Sequence, residues 1–385
     1  MMDKSKQKKM VPAIRFSGFT DDWEQRKLGD FADRYDNLRE PITAGKRVNG
    51  NVPYYGANGI QDYVEGYTHD GDYLLVAEDG ANDLVDYPVR RVHGKVWVNN
   101  HAHVISGKSN KADNGFLAES FKTVNIKPFL VGGGRAKLNS DVMMKLEFRL
   151  PDYREQRKIG VMMDKVDNLL TLHQRKLAQL EQCKTLLLQN LFPKNGTTKP
   201  SLRFAVFTND WEQRKLVDVS KVIMGQSPHS ENYTNNPDDH ILVQGNADVK
   251  NGRVVPRVWT TEITKSAPKN SIILGVRAPV GTVGITDFDV VIGRGVAAVS
   301  GNAFVYQTLL RFKKIGYWTR YSTGSTFESI SSDNIKNAIV NIPSIDEQNK
   351  VGAVLSRLDN IITLHQRKLR KLKVVNRLLH QKMFV

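Results

Sequence analysis

RFSGFTDDWEQRKLGD, from Arg15 to Asp30, recurs as RFAVFTNDWEQRKLVD from Arg203 to Asp218, an offset of 188 residues. A second phrase behaves the same way. VDNLLTLHQRKL, from Val166 to Leu177, returns as LDNIITLHQRKL from Leu358 to Leu369, offset by 192, with Pro151 and Pro343 introducing the two segments. A period this long exceeds the roughly 20 to 50 residues of solenoid repeats, so the sequence predicts two copies of one domain-sized unit. The 385 residues and 40% hydrophobic content suit two domains with cores of their own.

Each copy changes character partway. Residues 15–150 and 203–342 are broken by Gly, Asn and Pro and carry short β-branched runs such as YLLVAE, KVWVNN, SIILGV and DVVIG. Such text predicts strands and turns. Residues 151–192 and 343–385 contain long stretches without proline and predict helices, with 193–202 as a linker and 1–14 as a solvated basic tail.

The helices carry a regular apolar seam. Ile159, Met163, Val166, Leu170, His173, Leu177, Leu180, Lys184, Leu187 and Leu191 alternate spacings of four and three residues. Val351, Leu355, Leu358, Ile362, His365, Leu369, Leu372, Asn376, Leu379 and Met383 repeat that alternation position for position. A period of about 3.5 residues is that of a left-handed coiled coil, interrupted by the histidines and by Lys184 and Asn376. About 38 helical residues would extend roughly 57 Å. An antiparallel pair related by a pseudo-two-fold axis is the simplest way for one chain to bury both seams. The expected fold is therefore α+β: two duplicated, mixed, strand-rich domains separated by two long antiparallel coiled-coil helices. Under that symmetry the chain near Val385 lies close to its beginning, as Phe192 lies close to Arg203.

Charge points to the partner. Lys and Arg number 56 against 40 Asp and Glu, a formal charge of +16 that favours a polyanion, with nucleic acid foremost. No apolar run approaches the roughly 20 residues that span a bilayer, and no apolar stretch follows the basic N-terminus as a signal peptide requires. The single Cys183 rules out an intrachain disulfide, and the chain reads as cytoplasmic.

Local phrases carry a family resemblance: PYYGANGIQDYVEGY (Pro53 to Tyr67), GDYLLVAEDGA (Gly71 to Ala81), NNHAHV (Asn99 to Val104) and RAPVGTVGITDFDVVIGRGVAAV (Arg277 to Val299). PDYREQRKIG and PSIDEQNKVG match the Pro-x-x-x-Glu-Gln openings of that family's helices. With the order domain, helix, domain, helix, essentially the whole chain resembles the specificity subunit of type I restriction-modification systems. The resemblance implies target-recognition domains that bind double-stranded DNA at a split, asymmetric target. It also implies assembly with two adenine-methyltransferase subunits and two translocase/endonuclease subunits. No cofactor is then expected on this chain, with S-adenosylmethionine, ATP and Mg on the partners.

Other readings of single features are blander. The WEQRKL phrase at Trp23 and Trp211 reads as a domain opening whose Trp and Leu pack while its charges are solvated, or as a partner contact. His173 and His365 lack further ligands for a metal and read as polar layers that set helix register. Gly132 to Gly134 with Arg135 reads as a turn, since no phosphate-loop motif is present, and GVRAPVGTVG (Gly275 to Gly284) reads as a hairpin.

For base reading, loop Arg, Lys, Asn, Gln and Ser are the suitable chemistry, because Arg pairs with guanine and Asn or Gln with adenine. The candidates are Lys46, Arg47, Asn58, Lys108, Lys111, Arg135 and Lys137 in the first domain. In the second they are Gln226, Ser227, His229, Asn246, Lys250, Arg253, Arg257 and Arg277. No metal site is expected. Neither an adenine-methyltransferase signature nor a phosphate-binding loop nor a clear cluster of metal-binding carboxylates is present, which argues against an enzyme. A free-standing DNA-binding regulator and a nuclease are the competing classes, told apart by whether modification needs a partner.

Overall fold

The computed structural model describes residues 11–133, 136–194, 196–321 and 329–384. The chain divides into two compact units, one of Met1–Gln174 with Lys368–Val385 and the other of Arg175–Arg367. The fold is mixed α+β, as the sequence predicts.

The first unit is built on a six-stranded sheet in the order Ala32–Arg34, Ala102–Gly107, His69–Ala77, Val89–Val98, Asn49–Gly56, Gly59–Val64. In its central strand His69–Ala77 the run Leu74 to Ala77 is buried, with Leu74 and Val76 in one hydrophobic cluster and Leu75 in another. The helix Asn114–Phe121 lies against it, capped by the Asp113 carboxylate, which accepts from the Phe116 N–H at 2.9 Å. A two-stranded ribbon pairs Glu24–Lys27 with Glu147–Leu150, so the opening of the domain is zipped to its close.

The second unit repeats the frame. Val222–Met224, Val296–Val299, Ile272–Gly275 and Val283–Ile285 follow one another in its six-stranded sheet, as the first four strands do in the other unit. The single long strand Val89–Val98 is replaced here by two, Val283–Ile285 and Val290–Ile292, the second of which belongs to a separate five-stranded sheet. The predicted hairpin at Gly275 to Gly284 is present, with Leu274 opposite Val283. The ribbon recurs as Glu212–Lys215 with Ile339–Ile342, and the domain helix as Ala303–Lys314, capped by Asn302.

The long helices are Tyr153–Asn190 and Ile345–Met383. Each begins in one unit and finishes in the other. Inside the first unit, Ile159 and Met163 share a core with Met383 and Phe384, and the Asn376 Nδ2 donates to Asp167 at 3.2 Å, so the two helix segments there run antiparallel. Inside the second, Leu188, Leu191 and Phe192 share a core with Val351 and Leu355, and Lys184 pairs with Asp359 at 2.5 Å, again antiparallel. The polar interruptions at Asn376 and Lys184 are thus answered by Asp167 and Asp359, which are themselves equivalent residues of the repeat. Ile159, Met163, Val351, Leu355, Leu358 and Ile362 are buried. Val166, Leu170, His173, Leu177, Leu180, Leu187, His365, Leu369, Leu372 and Leu379 are half-buried, mostly between exposed neighbours.

The end of one helix completes the unit that the other began. In the first unit Trp23, Phe116 and Phe384 form an aromatic triad, with Phe384 stacked on Phe116 at 5.5 Å and Trp23 edge-on to Phe116 at 5.6 Å. In the second, Phe192 stacks on Phe304 at 5.2 Å and Trp211 stands edge-on to Phe304 at 5.5 Å. Matching backbone bonds hold the chain crossings: the Ile14 N–H donates to Lys382 O and the Leu202 N–H to Asn190 O, both at 2.8 Å. The proximity expected for Phe192 and Arg203 is matched by Asn190 with Leu202, and Lys382 meets Ile14 in the same way, while residues 1–10 and 385 lie outside the described residues.

The helix openings show why Glu-Gln follows the proline. Glu155, fully buried, receives a bidentate pair of bonds from Arg15 at 2.7 Å, and Glu347 receives the same from Arg203 at 2.8 Å. Gln156 and Gln348 each fold back to donate to the carbonyl of the introducing proline, at 2.9 and 3.0 Å. Four residues on, Gly160 and Gly352 let the long helix approach the start of the domain helix, where an added Cβ would lie 2.8 Å from the Phe116 nitrogen or 2.9 Å from that of Phe304. Arg203→Met leaves Glu347 as a buried charge without its partner and is expected to destabilise the chain by about 3 to 5 kcal/mol. Urea unfolding checks this, and Arg203→Met combined with Glu347→Leu should recover most of the loss.

Candidate nucleic-acid interface

In both units the same four loops meet at one edge of the strands, and the same hydrogen bonds hold them together. In the first unit the Asn99 N–H donates to Tyr55 O at 3.0 Å, Glu78 N–H to His101 O at 2.9 Å, and Leu138 N–H to Glu78 O at 2.7 Å. In the second the Gly293 N–H donates to Val243 O at 2.8 Å, Val276 N–H to Gly295 O at 2.9 Å, and Ile330 N–H to Val276 O at 3.0 Å. An asparagine amide braces each cluster. The Asn58 Nδ2 donates to Gly80 O at 2.9 Å, and the Asn246 Nδ2 donates to the carbonyls of Arg277 and Pro279, both at 3.1 Å. Asp79 bridges Lys137 as Arg277 bridges Ser329, which aligns the loops residue by residue.

This frame sorts the residues proposed from sequence. Several are tied into the fold. Arg47 donates to Ile42 O, pairs with Asp62 at 3.3 Å and lies over the Tyr54 ring. Asn58 is held by Gly80 and Asn82, Lys108 donates to Gly29 O at 2.8 Å, and Lys137 pairs with Glu78 at 2.8 Å. Ser227 accepts from the Arg294 N–H, Asn246 is the brace just described, Arg253 pairs with Asp287, and Arg257 pairs with Asp248. Lys46, Lys111, Gln226, His229, Lys250 and Arg277 are exposed. Arg135 lies outside the described residues, as does Gly134. Gln226 and Arg277 belong to the loop cluster of the second unit.

Two cations absent from that set sit at the same cluster. Arg294 lies exposed between Gly293 and Gly295, and Lys265 is exposed where its carbonyl accepts from the Ile292 N–H. The Gly-Arg-Gly phrase was a legible signal for Arg294: a Cβ at Gly295 would lie 2.1 Å from Gln244 O, so glycine is required for the loops to touch backbone to backbone.

Beneath the first cluster lies a buried ionic network that no spacing rule would have located. His103 is buried, with Nδ1 2.7 Å from Asp36 and Nε2 2.8 Å from Leu138 O, while Arg39 pairs with Glu78 at 2.6 Å. Burial by itself raises the Asp36 carboxyl, but the hydrogen bond and charge of His103, the Val104 N–H and Arg39 outweigh it and hold the group below its usual range. Glu78 is likewise lowered, with burial opposed by Lys137, Arg39 and His103. Among the described residues no group of three His, Cys, Asp or Glu side chains is placed to hold a metal ion. No helix among them is long and apolar enough to cross a membrane.

The chain belongs to the family of the type I restriction modification DNA specificity domain, whose model matches residues 20–182 and 208–374. It is a specificity subunit, the non-catalytic member of its system, with one target-recognition domain per unit. A protein of Haemophilus influenzae named as a type I restriction enzyme specificity subunit is 29% identical over 354 residues, which is 88% of each chain. One of Methanocaldococcus jannaschii, named for the MjaX specificity subunit, is 27% identical over 289 residues, 70% of this chain and 67% of that one. The crystal structure of the S subunit of the type I system from M. genitalium superposes with a TM-score of 0.76 at 15% identity, covering 98% of this chain and 99% of that one. A chain from a structure concerned with complex assembly and conformational transition of the type I R-M system superposes at 0.50 with 18% identity, covering 95% and 97%.

Because Asp36 and Glu78 are lowered in the folded state, the stability they contribute is present above their unfolded values near pH 4 and is lost as pH falls through the depressed folded values. Melting temperature followed against pH should drop steeply below about pH 4 in the parent. Asp36→Asn should be less stable at neutral pH and converge on the parent in acid; two parallel curves would contradict the assignment.

Proposed function

We propose that each recognition domain reads one half of a split, asymmetric double-stranded DNA target through its loop cluster. The chain then scaffolds two adenine-methyltransferase subunits and two translocase/endonuclease subunits in the cytoplasm. The observation that carries this reading is that the two clusters share their hydrogen bonds and differ in their exposed side chains. A scaffold duplicated with different tips is suited to recognising two different sequences, because phosphate contacts position a reader while base-edge contacts specify it. The net charge of +16 supplies the sequence-independent part of the affinity. S-adenosylmethionine, ATP and Mg belong to the partners, and this chain binds none of them.

The exposed apolar residues along the helices support the scaffolding role. Val161, Leu172, Leu186, Leu364, Val374 and Leu378 are exposed on helices whose seam is otherwise turned inward. A free-standing regulator has no use for such a surface.

Co-expression with an adenine methyltransferase of a type I system, followed by sequencing of modified adenines in host DNA, tests the proposal. One split, asymmetric motif that requires both proteins is the expected result. Absence of any motif beside an active methyltransferase would favour the free-standing regulator.

A further inference from the structure

The aligned loop clusters differ in chemistry at two equivalent positions. Where the first unit has Asp79, whose carboxylate lies 2.7 Å from the His101 Nδ1, the second has Arg277. Where the first has Asn100, flanked by Asn99 and His101, the second has Arg294, flanked by Gly293 and Gly295. Glycine at 295 removes the side chain that engages Asp79 in the other unit. Both arginines are exposed, and among the described residues neither guanidinium has an ion-pair or hydrogen-bond partner.

Their backbones, by contrast, are held. The Asn246 amide grips the carbonyls on either side of residue 278, and the Arg294 N–H is bonded to Ser227 Oγ at 3.1 Å. Gly281 turns the end of the loop at φ +83°, seated so closely on Trp318 that a Cβ would lie 2.5 Å from its ring. Two unpaired guanidinium groups on braced loops are arranged for bidentate donation, whereas a cation serving solubility alone needs no such support.

We propose that Arg277 and Arg294 are specificity-determining residues that read guanine through O6 and N7 in the major groove. The half-site of the second domain contains guanine for this reason, and the first domain makes no arginine contact at the two equivalent positions. This rests on the DNA-reading role proposed above.

The test uses the complete chain co-expressed with its methyltransferase, and compares the motif methylated with the parent, with Arg277→Ala and with Arg294→Ala. Each variant is expected to relax one guanine position in one half-site, lowering the preference for guanine about 5- to 150-fold. The other half-site should stay unchanged, which shows that the variant folds and assembles. A motif that keeps its guanines while modification weakens uniformly would mean phosphate contacts and overturn the proposal, as would a parent motif lacking guanine in both halves. If either variant abolishes modification altogether, duplexes carrying 7-deazaguanine decide with the unaltered complex. Weaker binding from substitution in one half-site supports the assignment, and indifference at every guanine overturns it. Absence of any motif from the parent would defeat the DNA-reading role itself rather than this assignment.

Discussion

The reciprocal completion of the two cores is the constraint on which the rest of the structure depends. Phe384, at the end of the second long helix, closes the aromatic triad of the first unit, and Phe192, at the end of the first, closes that of the second. Neither unit has its full core until the helix that starts in the other has been laid down. Burying such a ring removes apolar surface worth about 2 to 3 kcal/mol from water, and the stacked and edge-on contacts add to that. The paired Arg-Glu bonds then fasten each helix opening to the start of its own domain, and the Asn376–Asp167 and Lys184–Asp359 contacts set the register of the helix segments within each unit.

Much of this architecture was written in the repeat. The two copies of WEQRKL carry their roles openly: Trp23 and Trp211 enter the triads, Leu28 and Leu216 are buried, and the charged residues between them form exposed strands. The heptad spacing located the seam because burial on a helix follows a fixed period. The Glu-Gln after each proline was visible only as a recurring phrase; its meaning depended on Arg15 and Arg203, some 140 residues away in sequence. Long-range ion pairs have no periodicity, and no local rule would have joined them.

The loop clusters were less legible for the same reason. Composition picked out exposed-looking cations and amides, but whether each is committed depends on partners far along the chain. Arg47 and Lys108 prove to be fastened to nearby backbone carbonyls, and Arg253 to Asp287, whereas Arg277 stands clear. Asn58 and Asn246, chosen for adenine, brace the loops with the amides that would have read the base. The glycines flanking Arg294 signal a close backbone approach, but which loops converge there is visible only in the folded chain. What separates a reader from a brace is the hydrogen-bond inventory, which only the folded chain supplies.

On the function proposed above, one scaffold is used twice and the tip residues set what each copy reads. The most direct measurement is the methylated motif produced when residues 203–342 are replaced by a second copy of residues 15–150, with both long helices and the methyltransferase unchanged. A new target in which the bases read by the first domain appear in both halves is expected. An unchanged asymmetric motif, or an assembled complex that modifies with no defined motif, would contradict it.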